Sequence, residues 1–299
     1  MNWPNEIFYL GYLALFGGCI VAMLAWHRQQ RKQRLPFAAD LKLLRAPGET
    51  QLRLVRRFEE EGFSGMIVAS VVPAASGMGL LLLTVRLPQE LQLGGAALTL
   101  AAFLATFYYS ARWFSRRAQE SGNRYLGYFG ERVVAEQLEP LKAHGWRIFH
   151  DVPGGTIEHR FNLDHLAVGP AGVFVIETKT RRKGPARPGF DPGTVYFDGR
   201  SLVWPWGEDN HGLEQAELHA DWFTATLKAE INEQLPVTPV LALPGWVVAL
   251  KPSQDSRRCR VARPQDLSSQ LLSGPVALTE AQISRISAKL EARCRDVDY

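Results

Sequence analysis

Three charged residues stand where the surrounding pattern calls for apolar ones. The stretch NLDHLAVGPAGVFVIETKT (162–180) has two apolar runs around a Gly-Pro-Ala-Gly turn, and it carries Asp164, Glu177 and Lys179. Loop length fixes hairpin register. Pairing Val168 with Val173, or equally Gly169 with Gly172, sets position 164 opposite 177. Side chains alternate faces with period two, so Asp164, Glu177 and Lys179 are expected on one face. Directly opposed side chains lie about 5 Å apart at Cβ. Two carboxylates so placed repel unless a cation sits between them. A divalent metal with Lys179 beside it would serve. The plain alternative is an exposed hairpin end with a Glu–Lys pair.

Asp on one strand and Glu-x-Lys on the next suits phosphodiester hydrolysis. Carboxylates hold Mg²⁺, which prefers oxygen ligands. The metal polarises a phosphoryl oxygen and acidifies a bound water. Lysine can position that water or stabilise charge developing on phosphate. A third carboxylate can come from a preceding helix, and Glu131 in GERVVAEQL is the candidate.

The elements that must hold these groups follow from periodicity. Arg124–Ala143 has apolar residues at helical spacing, with Gly145 as its stop. Trp146–Val152 is expected as a strand, 153–159 as a Gly-rich loop, and Phe161–Val168 with Val173–Thr180 as the hairpin. Residues 181–193 form a basic, Gly/Pro-rich loop. Thr194–Phe197 and Ser201–Trp204 flank Asp198-Gly199, a tight-turn signal. A helix over Leu213–Leu235 follows, then strands Val237–Leu243, Trp246–Leu250 and Cys259–Ala262, and helices Pro264–Leu272 and Thr279–Cys294. Helix, three strands, helix, strand predicts an α/β fold with a mixed sheet flanked by helices.

The N-terminal 120 residues differ in kind. Ile7–Trp26 is a charge-free stretch of 20 residues, followed by HRQQRKQR. Phe63–Val85 and Leu91–Tyr109 are two more apolar runs, joined by RLPQE. About 20 apolar residues span a bilayer core, so transmembrane helices are expected at about 7–26, 63–85 and 91–109. The alternative for the last two is buried helices of a soluble domain. Nine Lys/Arg fall in 27–62, and Arg112, Arg116 and Arg117 follow the third span. By the positive-inside rule these flanks are cytoplasmic and the N-terminus is outside. A multi-pass inner-membrane protein is the expectation, with 1–120 as membrane region and 121–299 as cytoplasmic domain. Within 27–62, Leu41, Leu44, Leu52, Val55 and Phe58 have the spacing of an amphipathic helix on the inner leaflet, or else belong to a solvated linker.

The net charge of +4 divides unevenly. Residues 1–120 hold 13 Lys/Arg against 8 Asp/Glu, and residues 121–299 hold 21 against 22. The basic excess therefore gives no argument that the C-terminal part binds nucleic acid. Cys19, Cys259 and Cys294 lack metal-ligand spacing and suit a reducing compartment.

GERVVAEQL (130–138), NLDHLAVGPAGVFVIETK (162–179), and Gln215 with PVLAL (239–243) together resemble the NERD domain, the nuclease-related branch of the PD-(D/E)XK nucleases. The resemblance covers roughly 122–250. It implies a restriction-endonuclease-like fold and a Mg²⁺- or Mn²⁺-dependent nuclease acting on DNA or RNA. It assigns Glu131, Asp164, Glu177 and Lys179 as catalytic, the three acids also as metal ligands, and Gln215 as an accessory polar residue. An inert nucleic-acid-binding module, using RRKGPAR (181–187), and a membrane scaffold are the competing expectations.

Overall fold

The computed structural model describes residues 41–297 except 157, 233 and 252–256, together with Leu15, Gly18, Cys19, Ala22, Met23 and Trp26. The chain divides into two units, Met1–Leu43 with Asp298–Tyr299, and Leu44–Val297. In the first, the six isolated positions are helical. The expected span 7–26 otherwise lies outside the described residues. The second unit holds both larger sheets and every candidate site residue.

This second unit begins with two long helices, α1 (Glu49–Val85) and α2 (Gln89–Leu138). Ala46-Pro47-Gly48 starts α1 sharply, with Gly48 at φ 69°. Leu41 and Leu44 therefore lie outside any helix, and the expected amphipathic segment reduces to the first turns of α1. Pro73 is accommodated inside α1, where Ser76 Oγ donates to the Pro73 carbonyl at 3.1 Å. Pro88 caps the start of α2, and Gln92 Nε2 donates to the Leu87 carbonyl at 3.0 Å, closing the turn between the helices. The two arms run antiparallel. Thr84 and Thr99 share a hydrogen bond at 3.1 Å, and a Cβ at Gly77 would lie 3.0 Å from the Phe103 ring.

Three transmembrane helices are not supported. Among the described residues one helix, Gln89–His144, is long and apolar enough to cross a membrane. Within α1 the apolar stretch found among the described residues is Pro73–Val85. The helix expected at Arg124–Ala143 begins earlier, because α2 runs on from the apolar arm into the turns that carry Glu131.

A short 3₁₀ turn (Glu139–His144) ends at Gly145, φ 79°. Then come β1 (Arg147–Gly155), β2 (Arg160–Gly169) and β3 (Gly172–Thr178), β4 (Thr194–Phe197), β5 (Leu202–Trp204), β6 (Gly207–Glu208), α3 (His211–Ile231), β7 (Val237–Ala242), β8 (Val247–Leu250), β9 (Arg260–Ala262), α4 (Pro264–Leu272) and α5 (Glu280–Cys294). The main sheet has the order β9-β7-β3-β2-β1. Strands β3, β7 and β9 are parallel, while β1, β2 and β3 are antiparallel. The mixed α/β architecture read from the sequence is present. Central strand β3 is buried throughout, as a strand covered on both faces must be. One face packs Leu166, Val168, Val173 and Val175 against α3 and α5. The other packs Ala167, Phe174 and Ile176 against the end of α2 and α4.

A second sheet, β6-β5-β4-β8, sits on a core of Phe197, Trp204, Leu213, Leu243 and Trp246. Its β4–β5 turn is the expected Asp198-Gly199: Asp198 Oδ1 accepts from the amides of Arg200 and Ser201 at 2.8 Å each.

Candidate functional site

The expected hairpin register holds. Strand β2 pairs with β3 from Gly169↔Gly172 through Val168↔Val173 to His165↔Ile176. The next position would set Asp164 against Glu177, and there the ladder stops. The Asp164 carboxylate instead accepts the Thr178 amide at 2.7 Å. Strand β3 stays fixed on its other side, where Thr178 pairs with Ala242 and Lys179 N donates to the Ala242 carbonyl at 3.0 Å. The strands therefore part at the sheet's end, leaving Asp164, Glu177 and Lys179 at the fork.

Glu177 is buried, and both its oxygens are engaged. Lys179 Nζ donates to Oε1 at 3.0 Å, and His219 Nδ1 lies 3.1 Å from Oε2. Lys179 Nζ also donates to Gln215 Oε1 at 2.7 Å. Gln215 and His219 lie one turn apart on α3, so both reach the end of β3. Helix α3 approaches closely because position 212 is glycine: a Cβ there would lie 3.0 Å from Lys179 Cγ. The His219 ring stacks on Phe161, with centroids 4.6 Å apart and planes 4° from parallel.

Glu131 enters from the last turns of α2, also buried. Its neighbour Gly130 permits this approach, since a Cβ there would fall on Thr180 Oγ1. Burial pushes the Glu131 pKa up to about 8, and the charges of Asp151 and Glu177 act in the same direction. Asp164 is raised well above the ordinary carboxylate range, first by burial, then by Glu177 and Glu131. The acids thus feel one another, and Lys179 offsets part of the repulsion for both.

Two residues of this neighbourhood escape sequence reasoning. His219 is one; its signal was the four-residue spacing from Gln215. The other is Asp151, buried on β1. Strands β1 and β2 pair at His150↔His165 and Val152↔Leu163, so Asp151 and Asp164 fall between these pairs. Asp151 has φ 48°, an uncommon conformation for a residue with a side chain. Its Oδ2 accepts from Thr50 Oγ1 at 2.7 Å, Thr50 N at 3.1 Å and Arg45 Nη1 at 3.0 Å. Burial nonetheless raises its pKa. The signal was an acid within the apolar strand RIFHDV.

The donors offered by Glu131, Asp164 and Glu177 are all carboxylate oxygens, which is the chemistry Mg²⁺ selects, and their mutual repulsion would be relieved by a cation. Among the described residues no group of three or more His, Cys, Asp or Glu side chains is gathered to hold a metal. The residues fit an ion bound by one or two carboxylates, with water and phosphate oxygens completing its shell, as Mg²⁺ commonly is.

The sequence pattern of the NERD family, described as the nuclease-related domain, matches residues 126–244. That segment contains Glu131, Asp164, Glu177, Lys179 and Gln215, as well as Asp151 and His219, and excludes the α1 arm. The match supports the NERD family for this part of the chain and suggests a nuclease-like function. No curated protein and no solved structure gives a match.

Proposed function

We propose that the domain of β1–β3, α3 and β7 is a metal-dependent nuclease of the PD-(D/E)XK kind, with a restriction-endonuclease-like sheet, and that it hydrolyses phosphodiester bonds in DNA or RNA. The observation that carries this reading is the bridge Gln215–Lys179–Glu177 at the fork of the strands, with Asp164 and Glu131 in electrostatic reach. Glu177 and Asp164, assisted by Glu131, would hold Mg²⁺ or Mn²⁺. Bound there, the ion would supply Lewis-acid polarisation and an acidified water.

The chain's own groups have separate tasks. Gln215 and Glu177 hold the Lys179 ammonium from two sides, so the cation needs little reorganisation to face a phosphate. His219 holds the second oxygen of Glu177. Hydrogen bonding to Thr178 keeps Asp164 directed at the fork. In the apolar arms, Leu93 is 84% and Leu98 73% exposed. An exposed apolar surface of that kind needs a partner, and insertion of the α1–α2 hairpin into the inner membrane from the cytoplasmic side supplies one.

The full-length chain in detergent should cleave DNA or RNA with Mg²⁺, and Glu177→Ala should lower the rate by at least ~10²–10³-fold. Equal cleavage by that variant refutes the reading. A second reading has its own support, because both Glu177 oxygens already have partners. An inert module would bind nucleic acid through Arg181, Arg182 and Lys183 without metal. Salt-sensitive binding that persists in EDTA, with no cleavage under any metal, would favour it.

A further inference from the structure

The second sheet turns one face to its tryptophan core and the other outward. Val195, Phe197, Leu202 and Trp204 are buried, while Tyr196 and Val203 between them are half-buried and paired across β4 and β5. Alternation therefore sets an aromatic ring beside an aliphatic side chain on the outer face. The loop that leaves the fork after Lys179 returns to this sheet. Arg181 lies over the Trp204 ring at 5.0 Å and Lys183 over Trp246 at 5.6 Å. Arg187 N donates to the Pro205 carbonyl at 2.9 Å, and Phe190 N to the Arg187 carbonyl at 3.1 Å. Phe190 is thereby set edge-to-face against Tyr196, with centroids 6.0 Å apart and planes at 84°. Each ring has a cation over it. Arg187 Cζ is 4.4 Å from the Phe190 centroid, and Lys251 Nζ is 5.7 Å from that of Tyr196. A cleft of about 490 Å³ lies here, lined by Gly189, Phe190, Tyr196, Asp198, Val203 and Lys251.

We propose that this cleft holds one unpaired base of a single-stranded nucleic acid, whose backbone runs from the fork along residues 181–190. The cleft's volume falls in the range of about 300–1,000 Å³ usual for small-ligand sites. Aromatic faces stack any base, and cations beside them meet the flanking phosphates. Asp198 decides which part of the nucleotide enters. Its carboxylate repels a phosphate, whereas the N–H edge of a base donates to it. The amides of Arg200 and Ser201 hold that carboxylate at the β4–β5 turn. A base inside a duplex is stacked between its neighbours, so only an unpaired one is splayed into such a cleft. Arg181, Lys183 and Arg187 space positive charge between Lys179 and the cleft, Arg181 while also paired with Asp209. Residues 121–299 have no basic excess, so recognition rests on this local arrangement of cations and rings and not on bulk charge.

The cleft deepens the proposed function and rests only on its nucleic-acid substrate, which the inert-module reading shares. The test uses the full-length chain in detergent, with EDTA to prevent cleavage. The probe is labelled DNA of about 12 nucleotides, single-stranded or duplex. Wild type should bind the single strand more tightly than the duplex. Tyr196→Leu should weaken single-strand binding about 5–100-fold, the range for one base–aromatic stack, and Tyr196→Phe should match wild type. Phe190→Leu should act in the same direction as Tyr196→Leu. Lys251→Gln, at an exposed position, should lower the slope of log affinity against log salt by about 0.7, one single-strand phosphate. A fluorescent purine analogue in the single strand should be quenched by wild type and by Tyr196→Phe, and not by Tyr196→Leu. Wild-type binding in both Tyr196→Leu and Lys251→Gln overturns the inference. So does a wild-type protein that prefers the duplex or binds no single strand, even if it cleaves duplex with Mg²⁺. Single-strand binding that these variants weaken, with no cleavage under any metal, upholds the cleft and defeats the nuclease reading alone.

Discussion

Lys179 holds Glu177 with one hydrogen bond and is itself held by Gln215 with another, so the three side chains behave as a unit. Removing the amine from the unit leaves Glu177 buried with one partner fewer, a costly state for a charged group. Lys179→Gln should therefore cut cleavage by ~10²-fold or more while leaving nucleic-acid affinity within a few-fold, checked by separating kcat from KM. His219→Phe keeps the stack on Phe161 and removes the hydrogen bond to Glu177. About a tenfold loss is expected in the same assay. At this scale Asp164, Glu177 and Lys179 were legible because hairpin register is local arithmetic. The last step failed: Asp164 turns to the Thr178 amide where the strands part, which alternation alone does not show. Asp151 was hidden for a related reason, since a positive φ at a non-glycine residue leaves no trace in composition. Arg45 and Thr50 act on Asp151 across about a hundred residues of chain, a separation at which residue pattern is silent.

Among the elements, boundaries predicted from turn chemistry were close. Thr194–Phe197 and Pro264–Leu272 match their predicted limits, and Thr279 caps α5 through a reciprocal box with Gln282. The larger discrepancy concerns α2. The pattern changes at Asn123, so the helix was expected to begin at Arg124. The helix continues because a change of solvent is not a change of secondary structure: ARWFSRRAQESGNRYLGYF contains no proline to stop it. The same helix delivers Glu131 only because it lies close to Thr180 at Gly130. Gly130→Ala should therefore destabilise the fold by about 1–3 kcal/mol through overpacking, despite the helix preference of alanine. Urea unfolding would show this, and Thr180→Ala in the same chain should recover part of it.

For the molecule as a whole, Arg45 and Thr50 are bonded to Asp151 on β1, far along the chain. A 121–299 fragment keeps every acid of the fork and discards Gly48, Thr50 and Arg45. Hydrogen bonds to charged groups contribute about 1.5–3 kcal/mol each. The fragment should unfold at lower denaturant concentration than 44–299 in detergent, by about 3 kcal/mol or more. Its acid stability should also be telling. His150 and His165 face each other across β1 and β2, with Nδ1 atoms 2.8 Å apart. Burial lowers the His150 pKa to about 4, helped by Lys142 and opposed by Glu139. Burial also takes His165 well below its usual value, helped by His150. Below about pH 6.5 the unfolded chain binds protons that the native pair refuses. The histidine pair's contribution to stability should thus fall as pH drops from 6.5 toward 4, against the opposite contribution of Glu131, Asp164 and Asp151, whose raised pKa values make the native state the stronger proton binder. His150→Phe should flatten that limb in pH-dependent denaturant titrations.

The near-equal arms of the hairpin carry one more consequence. From Glu49 to Val85 the chain climbs 37 residues, and from Gln89 it descends a similar distance before reaching Tyr128, where Gly48 waits. Deleting one residue from either arm would displace the Gly48–Tyr128 contact by about 1.5 Å and swing it by about 100°. Paired deletions, one per arm, should restore the meeting. The hairpin is therefore a gauge as well as a stalk, its length constrained by the contact between Gly48 and Tyr128 at its base.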